Sequence, residues 1–168
     1  MVRTRESKVW PSMAGLFTLV FALGGWRAGL SRLSDNSFFW HLRTGRLILD
    51  DGSIPHADPY SFTAEGHRWV AQSWLAETLY GAIDRAVGAF GVRMLTGLTG
   101  AAVAAVAYRL VHRLSRDRLA AVGLTLAAIG ASFTLWSARP LFLGILAFLG
   151  LLWIVELPDS WLGRRAIW

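Results

Sequence analysis

The sequence predicts an all-α, multi-pass transmembrane protein of about four spans, with amphipathic interfacial helices in its first extracytoplasmic loop. Three observations carry this prediction. Of 168 residues, 54% are hydrophobic and only 17% charged, with mean hydropathy +0.43, a balance displaced from that of soluble domains. Long apolar runs recur along the chain, separated by polar stretches. The arginines sit at the ends of those runs, where they orient a membrane protein. A formal net charge of +6 therefore gives no reason to expect nucleic-acid binding, which needs a basic face with interleaved aromatics on a soluble scaffold. The chain has no cysteine, which excludes disulfides, a thiol nucleophile and cysteine metal sites.

The first apolar run covers residues 9–30, long enough for a span of about 20 residues. Arg3, Arg5 and Lys8 precede it as in a signal peptide. The run outlasts an h-region, however, and ends in Gly24, Gly25, Trp26 and Arg27, so it reads as a retained helix. Residues 31–69 are polar. Within them SDNSFFWHLRTGRLILDDG reads as a short amphipathic helix with N-cap choices at Ser34, Asp35, Asn36 and Ser37. Phe38, Leu42 and Leu49 share one side of it, Arg43, Arg46 and Asp50 another. Pro55 and Pro59 then impose an extended, turning stretch. Residues 69–90 are helical again, with an apolar stripe of Leu75, Leu79, Ile83, Val87 and Phe90. Glu77, Asp84 and Arg85 keep this helix from being a lipid-exposed span, since each charge at mid-bilayer costs about 2.5–3.5 kcal/mol.

The second span is expected over 92–111, the third over 119–136 and the fourth over 141–157. Small residues recur every fourth position in the second (Gly97 and Ala101; Gly100 and Ala104) and third (Gly123, Ala127, Ala131), a pattern that suits close helix packing. Arg109, His112, Arg113, Arg116 and Arg118 form a basic loop, and Arg139-Pro140 a short turn. The basic N-terminus, this loop and the Arg164–Arg165 tail place both termini in the cytoplasm of a bacterial plasma membrane. Trp10, Trp26, Trp136, Trp153 and Trp161 fall near span ends as an aromatic belt would. Three regions follow: 1–30, the N-terminus and first span; 31–90, the outer loop with its helices; 91–168, the remaining spans and the cytoplasmic tail.

The outer segment gathers Asp35, His41, Arg43, Arg46, Asp58, His67, Arg68 and Gln72. A carboxylate there can act as general base or metal ligand, and cations can neutralise a phosphate leaving group. Each residue also has a plainer reading. Asp35 caps a helix; His41 hydrogen-bonds locally; Arg43 and Arg46 snorkel to headgroups; Asp58-Pro59 makes a turn. Glu77 is either a buried partner of Arg85 or a solvated face residue. Arg139, at the outer edge, binds a phosphate or anchors its helix. Walker, dinucleotide and nucleophile-elbow patterns are absent, and no charge at mid-span suggests an ion path.

The runs DNSFFWHLRTGRLILDDGSIPHADPYSFT, WVAQSWLAE and SARPLF together resemble bacterial polytopic proteins of glycosyltransferase type C architecture, over residues 35–142. The resemblance implies sugar transfer from a polyprenyl-phosphate donor at the outer face of the membrane. It implies Asp35 as catalytic base or metal-coordinating carboxylate, with a divalent cation (Mg or Mn) as the candidate cofactor. His41, Arg43 and Asp58 would shape the donor-phosphate or acceptor site, supported by Trp69 and Gln72. Ser37 stands where many relatives have a second Asp, and Ser73 where some have Glu. Such transferases have two to three times the spans this length permits. The chain is thus expected to be an N-terminal fragment or module, a natural short subunit whose bundle another membrane protein completes, or a degenerate remnant. A non-catalytic subunit or scaffold, binding a partner or lipid through its outer helices, is the alternative.

Overall fold

The computed structural model describes residues 12–30, 33 and 35–156. Their order is α1 (Met13–Gly29), α2 (Asn36–Asp51), α3 (Trp74–Ser115), α4 (Arg118–Ser132), a 3-10 turn (Phe133–Leu135) and α5 (Pro140–Val155). The described residues contain no strand, only one isolated antiparallel bridge between Ala57 and Arg68. The all-helical expectation therefore holds. The expected basic cluster Arg3, Arg5 and Lys8, the cap choice Ser34, Trp10, Trp161 and the Arg164–Arg165 tail lie outside the described residues.

Two helical stretches, α3 and Arg118–Leu135, are long and apolar enough to cross a membrane; α1 and α5 are apolar but shorter, with 17 and 16 residues. α3 is continuous in hydrogen bonding from the outer segment into the second apolar run, but its backbone breaks at Gly88 (φ 68°, ψ −168°). Only glycine occupies that region without strain. Residues 74–87 and 89–115 are thus two arms of one element.

Small residues set how closely the helices approach. A Cβ on Gly25 would overlap the Gly100 carbonyl, and one on Gly29 would overlap the Thr96 carbonyl. α1 and α3 therefore touch backbone to backbone, with Phe17 and Phe21 reaching Tyr108 further along (ring centroids 6.0 and 5.1 Å). These contacts make the two helices antiparallel. Arg93 closes the α1 end by donating to the Leu30 carbonyl at 2.9 Å. Within α3 the Thr96 and Thr99 hydroxyls donate to carbonyls one turn back, both at 2.9 Å, which satisfies polar groups in apolar surroundings. By contrast, Gly123, Ala127 and Ala131 of α4 are exposed, and α4 packs through Ala121 and Thr125 instead.

Two findings concern α2 and the 74–87 arm. Of the stripe, Leu75, Leu79, Val87 and Phe90 face outward and Ile83 is half-buried, while Glu77, Tyr80 and Gly81 are buried. The reason is α2, whose Gly45 admits the Glu77 backbone so closely that a Cβ would overlap that carbonyl. On α2, Ile48 is buried where Leu49 was expected to be, and Leu49 is half-buried.

Candidate functional site

The outer side chains fall into three groups. The first is the seam between α2 and the 74–87 arm. His41 Nδ1 and Glu77 Oε1 are 2.7 Å apart, with Glu77 only 1% exposed and its other oxygen without a hydrogen-bond partner. Arg46 binds Asp84 through Nε (2.9 Å) and a terminal nitrogen, and Arg85 pairs with Asp50. Glu77 is therefore neither the partner of Arg85 nor solvated. The crossing at Gly45 turns its side chain toward His41, and Arg85 toward Asp50. His41 and Arg46 are engaged in joining the two helices. Arg43 is exposed and makes no hydrogen bond or ion pair among the described residues.

The second group is the loop between α2 and α3. Asp58 accepts from the backbone N–H of Tyr60 (2.8 Å) and of Ser61 (3.1 Å) and from the Ser61 hydroxyl. These hydrogen bonds, led by the Ser61 hydroxyl, lower its carboxyl below the usual range. The backbone pairs Asp58 with His67 and Trp69 with His56, both at 2.8 Å, closing a short hairpin. Tyr60, Trp69 and Trp40 meet with ring centroids 5.7–6.1 Å apart, and the Tyr60 hydroxyl bonds Thr44 Oγ1 at 2.8 Å. Asp58 and Trp69 thus fold the loop onto α2.

The third group is centred on Asp35, the N-cap of α2. Its carboxylate accepts from Ser37 N–H (2.9 Å), Ser37 Oγ (2.7 Å) and Ser137 Oγ (3.2 Å), and it pairs with Arg139. Capping and cross-chain pairing are performed by one side chain. Ser137 was not singled out beforehand; the signal available was its place two residues before Arg139. The Arg139 guanidinium, helped by Ser37, holds the Asp35 carboxyl well below the usual carboxylate range against a smaller opposing effect of burial. The sign for stability follows. A carboxyl lowered on folding stabilises above its unfolded value, near 3.8, and that contribution is lost as pH falls through the folded value. The Tm difference between wild type and Asp35→Asn is expected to be constant at neutral pH and to shrink in acid. A difference that persists unchanged at pH 2 would contradict it.

Arg139 immediately precedes Pro140, and Pro140 opens onto an apolar groove of about 740 Å³. Leu75, Leu79, Leu141, Gly144 and Ala147 form its wall, with Gln72 and Ser73 at its polar end. Leu75 and Leu79 of the outward stripe of α3 are one side of this groove. Apart from Gln72 and Ser73 the lining is apolar, which suits an apolar chain, and the Asp35–Arg139 pair stands one residue along the chain from Pro140.

No family model, curated protein or solved structure matches the chain. Among the described residues no three His, Asp or Glu side chains come together in a metal-ligand group. The neighbours of Asp35 are hydroxyls and a guanidinium, a set that does not suit a divalent cation.

Proposed function

We propose that this chain is the N-terminal module of a bacterial plasma-membrane glycosyltransferase that takes its sugar from a polyprenyl-phosphate donor on the outer face. In this reading α1, the 89–115 arm, α4 and α5 are four spans with both termini cytoplasmic. α2 and the 74–87 arm lie at the outer surface. The observation that carries the reading is the Asp35–Arg139 pair, with Ser137, joined through Pro140 to the helix that walls the apolar groove. The groove holds isoprenoid chain; Arg139 takes the donor phosphate.

Asp35 is a weak base while Arg139 holds it, because its carboxyl titrates far below neutrality. Engagement of Arg139 by the donor phosphate removes that restraint and raises the basicity of Asp35. The acceptor hydroxyl then gives its proton to Asp35, and its oxygen bonds the anomeric carbon with inversion. The anomeric carbon–phosphate oxygen bond breaks, and its electron pair stays on the phosphate that Arg139 neutralises. No step is routed through a metal. In membranes carrying the protein, Asp35→Asn is expected to lower sugar transfer from a polyprenyl-phosphate donor by about 100-fold or more. Undiminished transfer by the folded Asp35→Asn variant would remove Asp35 from the chemistry.

The exposed small-residue face of α4 (Gly123, Ala127, Ala131) favours a second reading, a non-catalytic subunit that packs against another membrane protein. Transfer that is absent from the wild type, together with a co-purifying membrane partner lost on Gly123→Leu, would select it.

A further inference from the structure

At the other end of the α1–α3 pair lies a cavity of about 410 Å³. Ser12 and Gly15 from the first turn of α1 form one wall, and Tyr108, Arg109, His112 and Arg113 from the last turns of α3 the other. No acidic side chain lines it, and neither arginine has a carboxylate partner among the described residues. Arg109 is held over the Trp153 ring, 5.6 Å from its centroid, so its guanidinium is oriented by stacking rather than by a counter-charge.

Two polar groups here have no hydrogen-bond partner among the described residues. Tyr108 is 0% exposed, and its hydroxyl is orphaned; so is Nδ1 of His112, whose ring stacks on Tyr108 at 5.8 Å. Buried polar groups are nearly always paired, so orphaned ones on two residues of a cavity wall point to something that fills it. The phenol and the imidazole N–H can donate, and the arginines only donate. The wall formed by the start of α1 adds the positive end of a helix dipole. Donors and positive charge converge, with no carboxylate in the lining among the described residues.

We propose that this cavity binds a phosphate group, either on an anionic phospholipid headgroup or as soluble phosphate. Arg109 and Arg113 supply the charge, and Tyr108 and His112 the buried hydrogen bonds. The site is independent of the Asp35 chemistry, so loss of the outer reading leaves it standing.

The test uses the purified full chain in nanodiscs of phosphatidylglycerol or phosphatidylcholine, and separately in neutral detergent with millimolar inorganic phosphate. Wild type is expected to show a Tm higher by about 4 °C or more in phosphatidylglycerol. An Arg109→Gln/Arg113→Gln double variant loses that shift, and Tyr108→Phe, which keeps the ring packing on Phe17 and Phe21, reduces it. An Arg116→Gln/Arg118→Gln control removes the same charge from outside the cavity and retains the shift. A matching shift with inorganic phosphate assigns the source to the free ion; a shift in phosphatidylglycerol alone assigns it to the headgroup. Absence of any shift in wild type, or equal loss in the control and the Arg109/Arg113 variant, overturns the proposal.

Discussion

Gly45→Ala is expected to destabilise the protein by at least about 2–3 kcal/mol, the upper part of the range for overpacking a closed interface. The added methyl group would overlap the Glu77 carbonyl, and across the seam a Cβ on Gly81 would likewise overlap the backbone of Gly45 and Arg46. Backbone cannot move aside as a side chain tip can. The helices must separate, which also lengthens the hydrogen bond between His41 and Glu77. Unfolding in mild detergent, read by tryptophan fluorescence, measures the loss. Gly24→Ala is the control, since a Cβ there meets nothing within 4 Å. It is expected to be neutral or to stabilise by about 0.5–1 kcal/mol through helix propensity. Equal behaviour of the two variants would refute the close crossing.

His41→Ala is the second large effect, a loss of about 2–5 kcal/mol. It would strip the one partnered oxygen of Glu77, whose second oxygen is already buried without a partner. The penalty comes from the polar group left behind more than from the bond removed. Replacing both residues, His41→Leu with Glu77→Met, should therefore cost less than His41→Ala alone. A double variant at least as unstable as the single one would show that packing around the imidazole matters more than the polar pair.

The parts of the fold that were legible in the sequence are those governed by local chemistry. The apolar runs gave the helices and Asp35 announced the start of α2, while Pro140, read as part of a turn, is the first residue of α5. Gly97, Gly100 and Ala104 were readable as a packing face because α1 offers matching glycines. The same pattern on α4 meets no partner in the described residues, so the pattern marks capacity rather than contact. The orientation of the 74–87 arm was illegible, because an apolar stripe shows which side avoids water without showing what covers it. Nothing local distinguishes His41 from Arg85 as the partner of Glu77; their separations are 36 and 8 residues. The choice is made where Gly45 meets Glu77. Asp35 was legible as a cap and as a candidate base, but its lowered carboxyl depends on Arg139, 104 residues away.

That separation sets a schedule for biosynthesis. At about 5–20 residues per second, roughly 5–20 s pass between synthesis of Asp35 and of Arg139. The seam of α2 with α3 needs only residues 35–38 positions apart and can close while the ribosome is still making α4. Asp35 waits with its cap hydrogen bonds alone until α5 arrives. A nascent chain arrested before Arg139 would hold the outer seam and lack the Asp35 pair, so formation of that pair marks the delivery of the last described helix.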